Sequence, residues 1–349
     1  MRRQPGLMLD GPRVAVLCGG FGAARFVPAL AASAGTLCCV VNTADDLDHL
    51  GLHISPDVDS VCYALAGRFD EGRGWGLIGD TFNAVDALAR HGSGWFRIGD
   101  EDLAFSLLRS ARLRQGVTLT AATARLTEAL AVAATVLPMS DDPVRTIVHT
   151  DAGTLDFQDY LIRHRARPSV HRVEYRGLAT AQPAPGVLAA LNNADVVVVA
   201  PSSPVASIIP ILRLPGVLDT LRHRGGPTVA VAPVVSNQPP GAAPERSRAV
   251  VRSALMGSLG LAHRAAEVAG LYASFLDGFV LDERDADQLA LIERTGVAVL
   301  TADTLSPPER RPALAEAVVR FAGSLSHRRQ NRSPLTTTIS LVQMEHGFC

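Results

Sequence analysis

Two short stretches hold the residues best suited to chemistry. Gly19-Gly20-Phe21-Gly22-Ala23-Ala24-Arg25 follows the apolar run Val14-Ala15-Val16-Leu17-Cys18, and Asn42-Thr43-Ala44-Asp45-Asp46 follows a second one, Leu37-Cys38-Cys39-Val40-Val41. Glycines permit positive φ and close backbone approach. A helix starting behind them aims free N–H groups and its positive dipole end at the turn, so phosphate is the natural guest. If both runs are parallel strands, the glycine turn and the carboxylate pair stand side by side at the carboxyl ends of the sheet, where open α/β sheets bind ligands. The turn lacks the Lys-Ser/Thr ending of a P-loop and does not fit Gly-x-Gly-x-x-Gly, so alone it reads equally as a plain strand-to-helix connection.

Other polar stretches offer paired readings. Ser55-Pro56-Asp57 reads as a turn feeding a helix over 59–66, preceded by an irregular glycine- and proline-broken segment. There Asp57 and Asp59 either cap the helix, where the dipole favours carboxylates, or face a ligand. His49 and His53 flank a glycine in a loop, which speaks against a helical metal pair. Gly92-Ser93-Gly94-Trp95-Phe96-Arg97-Ile98-Gly99-Asp100 joins two helices and combines aromatics with charge, which suits a flat, polar-edged ligand or a structured turn. Asp141 and Asp142 precede a proline and read as a solvated turn. Arg163, Arg165 and Arg167 share one side of the chain if it is extended, to bind an anion or to blunt a sheet edge. Ser202 and Ser203 end an apolar run, Val196-Val197-Val198-Val199-Ala200, and their hydroxyls can bond phosphate or sugar oxygens.

The elements that must position these residues define the fold class. Buried β-branched runs at 14–18, 37–41, 196–200, 228–232, 279–282 and 297–300 alternate with helical spacing, which predicts a Rossmann-like, three-layer, doubly wound α/β fold with a mainly parallel sheet. Helical periodicity, with Leu103, Leu107 and Leu108 on one apolar face, marks an insertion at about 80–130. The α/β domain is expected over 12–325, closing with a helix at 313–325, and 326–349 reads as a partly disordered tail. The 349 residues carry a net charge of −1, with 47% hydrophobic and 19% charged residues, so there is no basic footprint for nucleic acid. No apolar run approaches a membrane span, and a cytoplasmic address is the default expectation. The five cysteines form no C-x-x-C pair, and every basic residue other than histidine is arginine.

In order along the chain, six of these motifs resemble the 2-phospho-L-lactate transferases of coenzyme F-420 biosynthesis and their phosphoenolpyruvate-using relatives. They are the glycine turn, Asn42 to Asp46, Gly51 to Asp59, Leu137 to Thr146, Pro201 to Pro204 and Phe279 to Ala286. The resemblance implies a commonly dimeric enzyme that takes a GDP-activated phospho-acid and the deazaflavin alcohol Fo. The terminal hydroxyl of Fo attacks the distal phosphorus and GMP leaves. It also implies a divalent cation, Mg²⁺, on Asp45, Fo contacts at Asp59 and Arg97, and a nucleotide lying against Gly19, Gly20, Phe21, Gly22, Ser202 and Ser203. Asp45 and Asp59 would be the catalytic pair, with Asp59 orienting or deprotonating the hydroxyl. Phosphoryl transfer by positioning and charge neutralisation asks for such parts.

This chain departs from the family pattern at Glu101 and Ser106, where a cation and a histidine are usual, at Ser203 in place of Asn, and around Gln238. Those departures fall toward the donor, so an altered acid such as phosphoglycerate is one expectation. Cys62, in place of methionine, either reshapes a pocket or sits in the core. Two rivals remain: a nucleotide-sugar-binding regulator of the gluconeogenesis type, and a transferase that binds Fo but has lost its donor.

Overall fold

The strands are β1 (Arg13–Cys18), β2 (Thr36–Val41), β3 (Leu47–His49), β4 (Leu52–Ile54), β5 (Thr135–Pro138), β6 (Arg145–Thr150), β7 (Gly153–Asp156), β8 (Val170–Arg176), β9 (Val196–Val199), β10 (Thr228–Val231), β11 (Gly278–Asp282) and β12 (Ala298–Ala302). The computed structural model describes residues 11–237 and 243–329. Gln238 and residues 330–349 lie outside the described residues. Seven strands form the central sheet in the order β12-β11-β10-β9-β1-β2-β5, and every neighbouring pair is parallel.

Alternation along the strands builds the three layers, since successive side chains point to opposite faces. Ala15, Leu17, Val197 and Val199 pack into one core with Val187, Val217 and Val268 from helices on that face. Their neighbours Val14, Val16, Val196 and Val198 pack into the other, with Phe26, Val58 and Val318. The helices of this second face include α1 (Gly20–Ser33), α2 (Pro56–Leu65) and the closing helix Arg311–Arg329. Cys62 is fully buried there, which makes it a core residue rather than a pocket one. The chain runs outward from β1 through β2 to β5, then returns to β9 on the other side of β1. The topological switch point therefore lies between β1 and β9, and a crevice is expected at their carboxyl ends.

Several elements differ from the sequence-based expectation. Helix α2 starts at Pro56, because proline suits the first helical position. The segment before it is not irregular: β3 and β4 form an antiparallel hairpin about Leu50 and Gly51, both at positive φ, the geometry a two-residue hairpin turn demands. The three arginines form no extended row. β7 ends at Asp156, and the chain then coils through a wide turn at Asp159–Arg163. Strands β6, β7 and β8 make a separate antiparallel sheet in the order β7-β6-β8.

The insertion comprises α3 (Asn83–Arg90), α4 (Asp100–Arg114) and α5 (Leu119–Ala129). The expected apolar face of α4 is inverted: Leu107 and Leu108 are exposed, while Asp102, Ser106, Arg109 and Ser110 are buried. Those four recur at i, i+4, i+7 and i+8, a single stripe whose inward face is polar. Among the described residues, no single helix is long and apolar enough to cross a membrane.

Candidate active site

The glycine turn is shorter than a phosphate loop. Gly19 caps α1, and Gly20 to Gly22 already form its first turn, with Gly20 at φ +69°. The turn is pinned from two directions. Ser202 Oγ accepts the Gly19 N–H (3.0 Å), and the Asp57 carboxylate lies directly against Gly19 and Gly20. A Cβ on Gly19 would run into the Asp57 carboxylate and Ser207, and one on Gly22 into the Pro201 carbonyl, so both positions require glycine for close approach. Ser203 Oγ caps the next helical turn by accepting the Ala206 N–H (3.2 Å). Both serine oxygens thus accept bonds within the fold, yet each hydroxyl retains a proton to donate.

Asp57 caps neither end of its own helix. It accepts from Asn42 Nδ2 (3.0 Å) and weakly from Ser207 Oγ (3.5 Å), which ties the ends of β1, β2 and β9 together. Burial pushes its carboxyl up to about 6 despite the bond from Asn42. Asp45 is buried as well, and its Oδ1 makes no hydrogen bond. Desolvation and the neighbouring Asp57 push it well above the ordinary carboxyl range. A buried carboxylate oxygen without a partner, beside a second carboxylate, is what a hard cation would relieve. No cluster of three His, Cys, Asp or Glu residues able to hold a metal occurs among the described residues. The donor set therefore fits a cation that keeps water and substrate phosphate in its shell.

Asp59, on the same helix, meets a residue of the insertion that no motif marks. Arg109 of α4, 3% exposed, grips both carboxylate oxygens of Asp59, one of them from Nη1 at 3.1 Å. Burial pushes the Asp59 carboxyl upward and the guanidinium pulls it back. Beside this pair, Tyr63 Oη donates to Asp102 Oδ1 (2.7 Å), and burial together with the Asp59 charge pushes Asp102 up to about 7. Tyr63, Asp102 and Arg109 were invisible because polar helix positions normally face water. For Asp102 and Arg109 the available signal is the polar stripe of α4.

All of these groups except Asn42 and Arg109 line one cleft of about 670 Å³, which runs from the glycine turn and Ser202 past Asp45 to Trp75, Trp95 and Arg97. The predicted residues Gly19, Gly20, Phe21, Gly22, Asp45, Asp59, Arg97, Ser202 and Ser203 all lie on its wall. Arg97 is half exposed and donates to Asp86 Oδ1 (3.0 Å) across the Phe82 ring. Asp100 is a latch rather than a ligand group. It accepts from Thr81 Oγ1 (2.5 Å) and from the N–H groups of Asn83 and Ala84, and those bonds hold its carboxyl down at about 2. Glu101 is off the cleft, in a two-bond pair with Arg68 (2.7 Å each), so this departure does not touch the cleft wall. Asp141 accepts from Thr120 and the exposed Asp142 accepts from the Gln182 N–H, so the pair sits in a bend as expected and also ties neighbouring loops to it.

Three comparisons bear on this cleft. The family described as 2-phospho-L-lactate transferase CofD matches residues 14–311. The chain is 39% identical over 287 residues to the 2-phospho-L-lactate transferase of Methanosarcina mazei, covering 81% of this chain and 91% of that one. It is 38% identical over 294 residues to the phosphoenolpyruvate transferase of Streptomyces griseus, covering 82% and 90%. Among solved structures, a UPF0052 family protein from Bacillus halodurans superposes with a TM-score of 0.58 at 18% identity, covering 89% and 99%, a likeness of fold alone.

Proposed function

This chain belongs to the 2-phospho-L-lactate transferase CofD family, and we propose that it transfers a phospho-acid group from a GDP-activated donor to the terminal hydroxyl of the deazaflavin Fo, releasing GMP. It is a transferase, and its relatives support phospho-group transfer in coenzyme F-420 biosynthesis. The finer reading rests on one observation. A single cleft joins a pinned helix N-terminus at the β1/β9 switch point to an aromatic and carboxylate wall, with Asp45 between them.

The donor phosphates would lie at the first turn of α1 with the Ser202 and Ser203 hydroxyls donating, and the planar ring of Fo between aromatic side chains. Asp45 would hold Mg²⁺ together with substrate phosphate and water, and the cation would supply neutralisation of phosphate charge. An O–P bond forms from the Fo hydroxyl to the distal phosphorus as the bond to GMP breaks, and the hydroxyl proton leaves to solvent or to a cleft carboxylate. With both oxygens gripped by Arg109, Asp59 orients the acceptor rather than removing its proton. On this reading, Asp59→Asn raises the KM for Fo more than it lowers kcat.

The direct test incubates the protein with Fo, Mg²⁺ and GDP-activated phospholactate, phosphoenolpyruvate or phosphoglycerate in parallel, and follows the Fo phosphodiester and GMP by mass spectrometry. Product from one donor supports the reading and identifies the acid. A folded protein that yields product from none of them overturns it in favour of a nucleotide-binding relative.

A further inference from the structure

Of the three arginines spaced two apart after β7, the structure separates the roles. Arg163 lies over the Trp95 ring, 4.4 Å from its centroid, and pairs with Asp159 (3.4 Å). Arg167 is off the cleft, whereas Arg165 lines it. The other arginines on that wall are engaged: Arg97 with Asp86, Arg248 with the Phe21 ring and the Gly74 carbonyl, and Arg252 with His263. Arg165 makes no hydrogen bond or ion pair with any described residue.

Its backbone is also unusual. Arg165 and Ala166 are consecutive non-glycine residues in the left-handed region, at φ +53° and +52°. Such conformations are unfavourable for side-chain-bearing residues and persist where surrounding contacts impose them, often at functional sites. Here the Ala166 N–H donates to the Tyr160 carbonyl (2.8 Å), and Ala166 packs against the core. The same segment is tied to Asp45, since Gln158 Nε2 donates to the Asp45 carbonyl (3.2 Å). The backbone that carries Arg165 is thus fixed on the wall that adjoins Asp45, and its exposed guanidinium brings a permanent positive charge there.

We propose that Arg165 binds the carboxylate of the phospho-acid being transferred and so selects donors that carry one. This rests on the transferase reading above. The donor phosphates have the α1 N-terminus, the serine hydroxyls and the cation, which leaves the carboxylate as the one donor charge without a counterpart. A guanidinium fork matches a carboxylate with two parallel hydrogen bonds, and lysine cannot reproduce that geometry.

Arg165→Asn is the variant of choice, because asparagine tolerates the left-handed backbone. Arg165→Lys keeps the charge. With the donor that wild type uses, Arg165→Asn should raise the donor KM roughly 10- to 100-fold, the loss expected for a charge-assisted pair. GDP affinity by calorimetry, the KM for Fo and the melting temperature should stay near wild type, and Arg165→Lys should recover part of the donor KM. An unchanged donor KM overturns the inference, and so does an equal loss of GDP affinity, which would make Arg165 a phosphate contact. Wild type inactive with every donor would instead overturn the transferase reading itself.

Discussion

The two walls of the cleft are built on opposite principles. On the sheet side, the glycine turn, Asn42, Asp57 and Ser202 interlock through short neutral or singly charged bonds between the ends of β1, β2 and β9. On the insertion side, an ion pair is buried outright, Arg109 against Asp59, and beside it Tyr63 is bonded to the buried Asp102. A strand end is fixed by its sheet, so small residues can approach closely there and backbone groups can do the binding. A helix lying across the sheet has no such frame, and buried charge must locate it. The first design tolerates little volume and the second tolerates little change of charge.

The largest effect should come from breaking the second design. Arg109→Met leaves Asp59 buried without a counter-charge and should destabilise the fold by about 3–5 kcal/mol in urea unfolding. Adding Asp59→Asn to it should recover much of that loss, whereas two independent sites would simply add. Gly22→Ala attacks the sheet side, because its Cβ meets a backbone carbonyl that cannot swing away. Up to about 3 kcal/mol of strain is expected, with nucleotide affinity weakened and Fo affinity retained.

Asp102 sharpens the contrast through pH. Its carboxyl is raised to about 7, so the folded state favours the protonated form. The stability this contributes is complete below the ordinary carboxyl range and is lost as pH rises through about 7. The advantage of Asp102→Asn over wild type should therefore grow by about 2–3 kcal/mol between pH 5 and pH 8, measured by paired unfolding curves. Arg97→Ala should move stability least, by less than about 0.5 kcal/mol, because its pair with Asp86 is half exposed. A raised KM for Fo at that near-constant stability would mark Arg97 as an acceptor contact.

The sheet-side wall was legible because β-branched runs ending in glycine or Asn-x-x-Asp are local patterns, and parallel topology then dictates which ends meet. Asp45, Gly19 to Gly22 and Ser202 followed from that rule. The insertion wall was legible only in outline. Asp59 and Arg109 are separated by 50 residues, and nothing local to either announces the other. On α4 the leucines implied the wrong face, since a helix whose inward stripe is polar inverts the usual reading of periodicity. The β3–β4 hairpin was missed because Leu50-Gly51 is a weaker turn signal than Asn-Gly.

The account places Asp45 where the two walls meet, and Asp45→Asn tests that placement most directly. The variant should bind Fo and GDP within a few-fold of wild type while formation of the Fo phosphodiester, followed with GMP release in Mg²⁺, falls by about 10³-fold or more. Turnover retained at close to the wild-type rate would contradict the account, because the cleft would then perform its chemistry without the carboxylate that places a buried, unbonded oxygen on its wall.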